Sequence, residues 1–232
     1  MTRVVFFDVD FTLIEPGPAF QAGGYRAFCA RHGIAVDPAR FDAAVAAAAP
    51  VLDDRDEHTY DPDVFVTYTR RIIEGMGGAG GALDACAREI FAEWTSFRHF
   101  SLYPDVAPTL RLLAAGGIRI GLISNGQRSL EAFERHFALD GLIDAAISSP
   151  DHGYMKPHPS IFEAALRLVD VPAREAVMVG DSLRHDVEGA CAAGLRAVLV
   201  RRGAMRAVDE DEVLLRLGVP VLASLDGLPA LL

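Results

Sequence analysis

The stretch VVFFDVDFT (residues 4–12) decides the fold. Residues 3–8 read as a strand, a continuous apolar run that closes on Asp8, with Asp10 and Thr12 at alternate positions beyond it. An uninterrupted apolar run is buried on both faces, which marks a central parallel strand. The end of such a strand in an open α/β sheet is where ligands bind. Two acids there either finish the strand with turn chemistry or carry out a reaction.

The same texture returns at 118–123 (IRIGLI), 143–147 (IDAAI), 176–180 (AVMVG) and 197–200 (AVLV), and more weakly at 219–222 (VPVL). Between these runs lie helical patterns at 104–115, 129–137, 159–169 and 183–193. Strands alternating with helices of about ten residues imply an α/β protein with a doubly wound parallel sheet. Residues 15–97 break the rhythm. They read as four helices, roughly 18–32, 38–49, 62–75 and 82–96, inserted after the first strand. The expected organisation is a core of residues 1–14 and 98–232 with a helical insert at 15–97. GMGGAG (75–80) satisfies G-x-G-x-x-G but follows a helical pattern, whereas a dinucleotide fingerprint follows a strand; it reads as a helix–helix connection.

Composition narrows the class. The 232 residues are 51% hydrophobic, which supports a sizeable core. No run is apolar and long enough to suggest a membrane span, and MTRVV does not open a secretory signal. Cys29, Cys86 and Cys191 are scattered without a C-x-x-C spacing, which points to a reducing, cytoplasmic compartment and to neither a disulfide frame nor a zinc site. A net charge of −10 disfavours nucleic acid as a partner. Lys156 is the one lysine among 22 basic residues; all the others are arginine. Oligomeric state is not legible.

Four groups of residues fall at successive strand ends. Asp8 and Asp10 are the first. VGDSLRHDVEGA (179–190) repeats the strand-then-acids pattern with Asp181 and Asp186; the plain alternative is an N-cap at Asp181 or Ser182. In a parallel sheet all four carboxylates converge at one edge, where unpaired acids repel and a divalent cation such as Mg²⁺ resolves the repulsion. LISNG (122–126) brings Ser124 and Asn125 to a helix start, a setting for an anion. GYMKPHP (153–159) brings Lys156 to the same edge, while His152 and His158 read as turn residues. Carboxylates, a cation, a hydroxyl, helix-start amides and a lysine compose a phosphoryl-transfer site.

These motifs, in this order and nearly end to end, resemble the haloacid dehalogenase-like hydrolase superfamily, in the branch with a helical cap after the first strand. DVDFT looks like its first motif, LISN its second, MKP its third and GDSLRHD its fourth. The resemblance implies a Rossmann-like core, a mobile helical cap, and a Mg²⁺-dependent phosphatase acting on a small phosphorylated metabolite through an aspartyl-phosphate. By position, Asp8 would be the nucleophile and Asp10 the general acid and then base, its carbonyl on the metal. Thr12 would help hold that loop, and Ser124 and the neighbouring Asn125 amide would bind phosphoryl oxygens. Lys156 would neutralise charge between Asp8 and the phosphate. Asp181 would ligate Mg²⁺ and Asp186 would ligate it or hold its waters. Phe11 departs from the glycine that many members carry. Dehalogenases of this type replace the second acid, which is present here as Asp10, and phosphonatases need a cap lysine, which is absent. A phosphomutase and a catalytically silent binding domain are the alternatives. Arg55, His58, Tyr60, Arg70 and Arg71 are the candidates for reading a second anionic group of the substrate.

Overall fold

The structure, a computed structural model, describes residues 1–53, 58–202 and 210–232. It divides into two compact units, Met1–Glu15 with Leu102–Leu232, and Pro16–Ser101.

The first unit holds a six-stranded sheet in the order β5-β4-β1-β6-β7-β8. These strands are β1 (Val4–Phe7), β4 (Arg119–Ser124), β5 (Ala145–Ser148), β6 (Ala176–Gly180), β7 (Arg196–Val200) and β8 (Val221–Leu222). Every pairing is parallel. Two short strands, β2 (Ile14–Pro16) and β3 (Phe100–Leu102), pair separately. β1 is central because VVFF has no polar face to offer solvent: all four residues are fully buried. It pairs through Val4 with Arg119 of β4 on one side and Ala176 of β6 on the other. The weak VPVL signal yields only the two-residue strand β8.

One sheet face is covered by a cluster joining Val4, Phe6 and Met178 to Ile161, Phe162 and Ala165 of the helix Pro159–Val169. That helix starts as its sequence demands. Pro159 sits in the first turn, His158 Nδ1 accepts from Ser160 N at 3.3 Å, and Asp170 turns left-handed at φ 49° to end it. Each fully buried Phe or Leu side chain here contributes about 1.5–3 kcal/mol. The expected single helix at 183–193 is instead a wide π-type turn, Leu183–Glu188, followed by Gly189–Ala192. The widening follows from Asp186, whose carboxylate turns back to accept from Ser182 N at 3.0 Å.

The second unit is helical: Ala22–Arg31, Phe41–Ala48, Pro50–Asp53, Asp63–Gly75 and Leu83–Trp94. GMGGAG connects the last two, and Gly77 and Gly80 take φ +96° and +115°, values that suit glycine alone. The core contains Ile72, Ile73, Met76 and Ile90, and Phe65 stacks on Phe91 with ring centroids 5.7 Å apart. Cys29 and Cys86 are not scattered in space; their sulfurs lie 3.9 Å apart, because the helices carrying them pack through their apolar faces.

Candidate active site

The Asp8–Thr12 loop leaves β1 as a tight turn. Asp8 N donates to Val179 O at 2.9 Å, which carries the β1–β6 pairing one residue past the strand. Leu13 N and Ile14 N both donate to Val9 O, at 2.9 and 3.1 Å, and Phe11 N donates to Ile14 O at 2.8 Å. The turn puts Phe11 at φ +60°, a conformation where a side chain costs energy and glycine does not. The loop is also held from behind. Arg202 donates to Thr12 O at 3.1 and 2.6 Å and to both Asp105 oxygens at 2.7 Å, with its guanidinium 4.0 Å from the Tyr103 ring centroid. Thr12 Oγ1 donates to Asp181 Oδ1 at 3.4 Å.

Asp8, Asp181 and Asp186 each place a carboxylate oxygen within 4.8 Å of the others. Two of these acids, Asp8 and Asp186, have a cationic partner, where the sequence alone suggests unpaired acids. Lys156 Nζ donates to Asp8 Oδ1 and Asp186 Oδ1, each at 2.6 Å, and its side chain is only 2% exposed. The lysine is fixed through its backbone by Asn125. The Asn125 side chain accepts from Lys156 N at 2.7 Å and donates to Lys156 O at 3.1 Å, while Ser149 Oγ donates to its carbonyl oxygen at 2.8 Å. The Asn125 side chain thus clamps the lysine loop, since an amide offers both a donor and an acceptor to one residue's backbone. Lys156–Pro157 is a cis peptide. Ser124 is buried at the end of β4, and its Oγ accepts from Gly126 N at 3.0 Å.

The fourth acid stands apart. The Asp10 carboxylate pairs with Arg128, whose side chain is 3% exposed. Sequence reading missed Arg128. It is one arginine among many, and nothing within its own segment marks it.

Electrostatics follow from burial. Burial raises the Asp8 pKa to about 6 despite Lys156, with Asp186 adding to the rise. Burial also raises Asp10, outweighing Arg128. Asp181 is raised well above the usual carboxylate range by burial and by the charges of Asp8 and Asp186. For Lys156 burial acts downward, but Asp186 and Asp8 overcome it and hold the ammonium form. When all three acids are ionised, three carboxylates against one ammonium put a double negative charge on hard oxygen donors. That donor set fits a divalent, oxygen-seeking cation.

Gly180 is what lets the cluster close. A Cβ there would lie 2.2 Å from Asp186 Cγ. Gly180→Ala is expected to push Asp186 away, costing about 1–3 kcal/mol of stability as overpacking and weakening divalent-cation binding. Urea unfolding and calorimetric titration would measure both, and unchanged cation affinity would refute the packing argument.

Of the residues considered for a second anionic group, Arg70 and Arg71 both pair with Glu74, at 3.0 and 3.2 Å, as exposed helix pairs. His58 takes φ +46°, and Tyr60 belongs to the same segment before the Asp63–Gly75 helix. Arg55 lies outside the described residues. His152 and His158 both bond Ser160 Oγ at 2.8 Å, a capping arrangement.

A family model described as haloacid dehalogenase-like hydrolase matches residues 2–194. The chain is 29% identical over 207 residues to the glyceraldehyde 3-phosphate phosphatase of Pyrococcus abyssi (strain GE5 / Orsay), spanning 88% of this chain and 83% of that one. It is 30% identical over 203 residues to the ribulose-1,5-bisphosphate 5-phosphatase of Halopiger xanaduensis (strain DSM 18323 / JCM 14033 / SH-6), spanning 86% and 84%. Among solved structures it is similar to a 2-haloacid dehalogenase from Pseudomonas syringae pv. Tomato DC3000, with TM-score 0.62, 27% identity, and coverage of 99% of this chain and 97% of that one.

Proposed function

The chain belongs to the haloacid dehalogenase-like hydrolase family, and from that premise we propose that it is a Mg²⁺-dependent phosphatase that hydrolyses a small phosphorylated metabolite through an aspartyl-phosphate on Asp8. The observation that carries the reading is Lys156 Nζ, held 2.6 Å from both Asp8 and Asp186 inside a three-carboxylate cluster. Two curated relatives matched over most of their length are phosphatases of small phosphorylated compounds, which supports phosphoric monoester hydrolysis as the reaction class. A dehalogenase is also a structural relative, but Asp10 retains the second acid that the dehalogenases replace.

In this reading Asp8 attacks phosphorus and Lys156 holds the nucleophile and offsets the charge gathering between it and the phosphoryl group. Asp10 protonates the departing oxygen, then takes a proton from the water that cleaves the aspartyl-phosphate. Ser124 donates to a phosphoryl oxygen. Asp8, Asp181 and Asp186, with the Asp10 carbonyl, would hold Mg²⁺. When bound, the metal would neutralise phosphoryl charge and fix its orientation beside Asp8. The helical unit, Pro16–Ser101, is assigned the role of a substrate-selecting cap. A cytoplasmic setting rests on cysteine usage; no helix among the described residues is long and apolar enough to cross a membrane.

The test is phosphate release from a panel of phosphorylated metabolites, with Mg²⁺ and with a chelator. Metal-dependent release from at least one monoester is expected; a folded protein that releases phosphate from none would overturn the assignment.

The acids also set a pH dependence. Asp8 carries its proton up to about pH 6 in the folded state, above the unfolded carboxylate value, so it stabilises the metal-free protein at low pH and loses that contribution as pH rises through about 6. Mg²⁺ needs the ionised acids. It should therefore raise the Tm more at about pH 7.5 than at about pH 5. Thermal melts at both pH values check this, and an equal or larger rise at the lower pH contradicts it.

A further inference from the structure

Arg128 precedes Ser129, whose hydroxyl caps the Leu130–His136 helix by accepting from Ala132 N at 3.2 Å. At the other end of the same loop, Gly126 N donates to Ser124 Oγ at 3.0 Å. Residues 124–129 are thus tied at both ends, and a buried guanidinium is delivered from a fixed backbone. Its Nη2 donates to Asp10 Oδ1. The other oxygen, Oδ2, lies on the Gly126 side. A Cβ added at Gly126 would stand 3.3 Å from Asp10 Oδ2, 3.3 Å from Ser124 Oγ and 3.9 Å from Arg128 Nη2, so the bare glycine leaves room where these three groups border one space.

We propose that Arg128 is a positioning residue for proton transfer: it holds Asp10 Oδ1 so that the carboxyl proton is carried on Oδ2, the oxygen that borders the same space as the Ser124 hydroxyl. A guanidinium only donates. A proton on Oδ1 would point into an N–H group, which leaves Oδ2 as its place. The inference rests on Asp10 being the proton donor of the proposed phosphatase. In that step an Asp8 oxygen bonds to phosphorus, the bond from phosphorus to the ester oxygen breaks, and the Oδ2 proton passes to that oxygen. The alcohol leaves neutral and Asp10 is left ionised beside Arg128.

A role in proton donation has a signature that a packing role lacks. An alkoxide is a poor leaving group and needs the proton, whereas 4-nitrophenolate leaves with little help. The experiment compares kcat/KM of the wild type, Arg128→Met and Arg128→Lys on the best alkyl phosphate of the panel and on 4-nitrophenyl phosphate. Arg128→Met is expected to lose about 10²-fold or more on the alkyl ester and under about tenfold on the aryl ester, with Arg128→Lys recovering part of the alkyl loss because it keeps a charged donor. Equal losses on both esters, or no loss on either, would overturn the proposal. Arg128→Lys preserves the buried charge pair, so it decides the question if Arg128→Met does not fold; equal wild-type-like or equally reduced values for both esters then count against it. Failure of the phosphatase reading is distinct: the wild type itself would release phosphate from neither ester.

Discussion

Asp8→Asn is expected to retain less than about 10⁻⁴ of wild-type turnover, in line with removing the nucleophile of a covalent mechanism. An amide has no oxyanion to offer phosphorus, while Lys156, Ser124 and the remaining acids stay in place. The stability of the variant should move the other way. In the metal-free protein, burial and the neighbouring Asp186 hold Asp8 at a pKa of about 6, so its ionised form opposes folding at neutral pH. A neutral isostere removes that opposition, and Lys156 keeps its 2.6 Å bond to Asp186. Asp8→Asn should therefore melt no lower than the wild type without Mg²⁺. Phosphate release, hydroxylamine trapping of the acyl-phosphate and thermal melts are the measurements. Turnover within tenfold of wild type would remove Asp8 as nucleophile.

Lys156→Met should do damage of another kind. It leaves Asp8 and Asp186 buried with no cation between them, a change that costs about 3–5 kcal/mol when one partner of a buried pair is removed. Burial of the lysine is nearly complete and its two bonds are short, so solvent offers little screening. The loss should shrink as pH falls through about 6, because a protonated Asp8 no longer needs the ammonium. Urea unfolding at about pH 7.5 and about pH 5 reads both the cost and its pH dependence. Equal stability of variant and wild type at the higher pH would show that the pair carries no net energy. Turnover should fall by about 10²–10³-fold or more, since a fixed charge at the reacting group is gone.

Much of the frame was legible because it depends on local pattern. VVFF announces a strand with no solvent face, and an acid after each of two such strands declares the sheet edge. Lys156 stood out through composition, as the one lysine of the chain. What stayed hidden depends on contacts between distant segments. Arg128 reaches Asp10 from a loop far along the chain, and an arginine-rich sequence conceals which arginine is buried. Arg202 holds the Thr12 carbonyl across a still longer separation, and backbone carbonyls carry no signature in a sequence. The Asn125 side chain's grip on Lys156 was hidden as well, because the lysine loop arrives from another segment. The widened turn at Leu183–Glu188 was hidden too, because a helix pattern does not disclose that Asp186 will fold back onto the backbone of Ser182.

The central place of β1 has a consequence for synthesis of the chain. Val4 finds its two partners at Arg119 and Ala176, so the strand is made long before either neighbour exists. At ribosomal speeds of about 5–20 residues per second, VVFF waits on the order of ten seconds for the second of them. During that interval its amides and carbonyls are open on both edges and its four apolar side chains have no sheet to enter. The helical unit, Pro16–Ser101, lies entirely between the strand and its partners in sequence and can complete its local contacts in that time. A stage is thus expected in synthesis at which the helical unit has its residues together while β1 still lacks both neighbours, and a holding chaperone would find its target at β1.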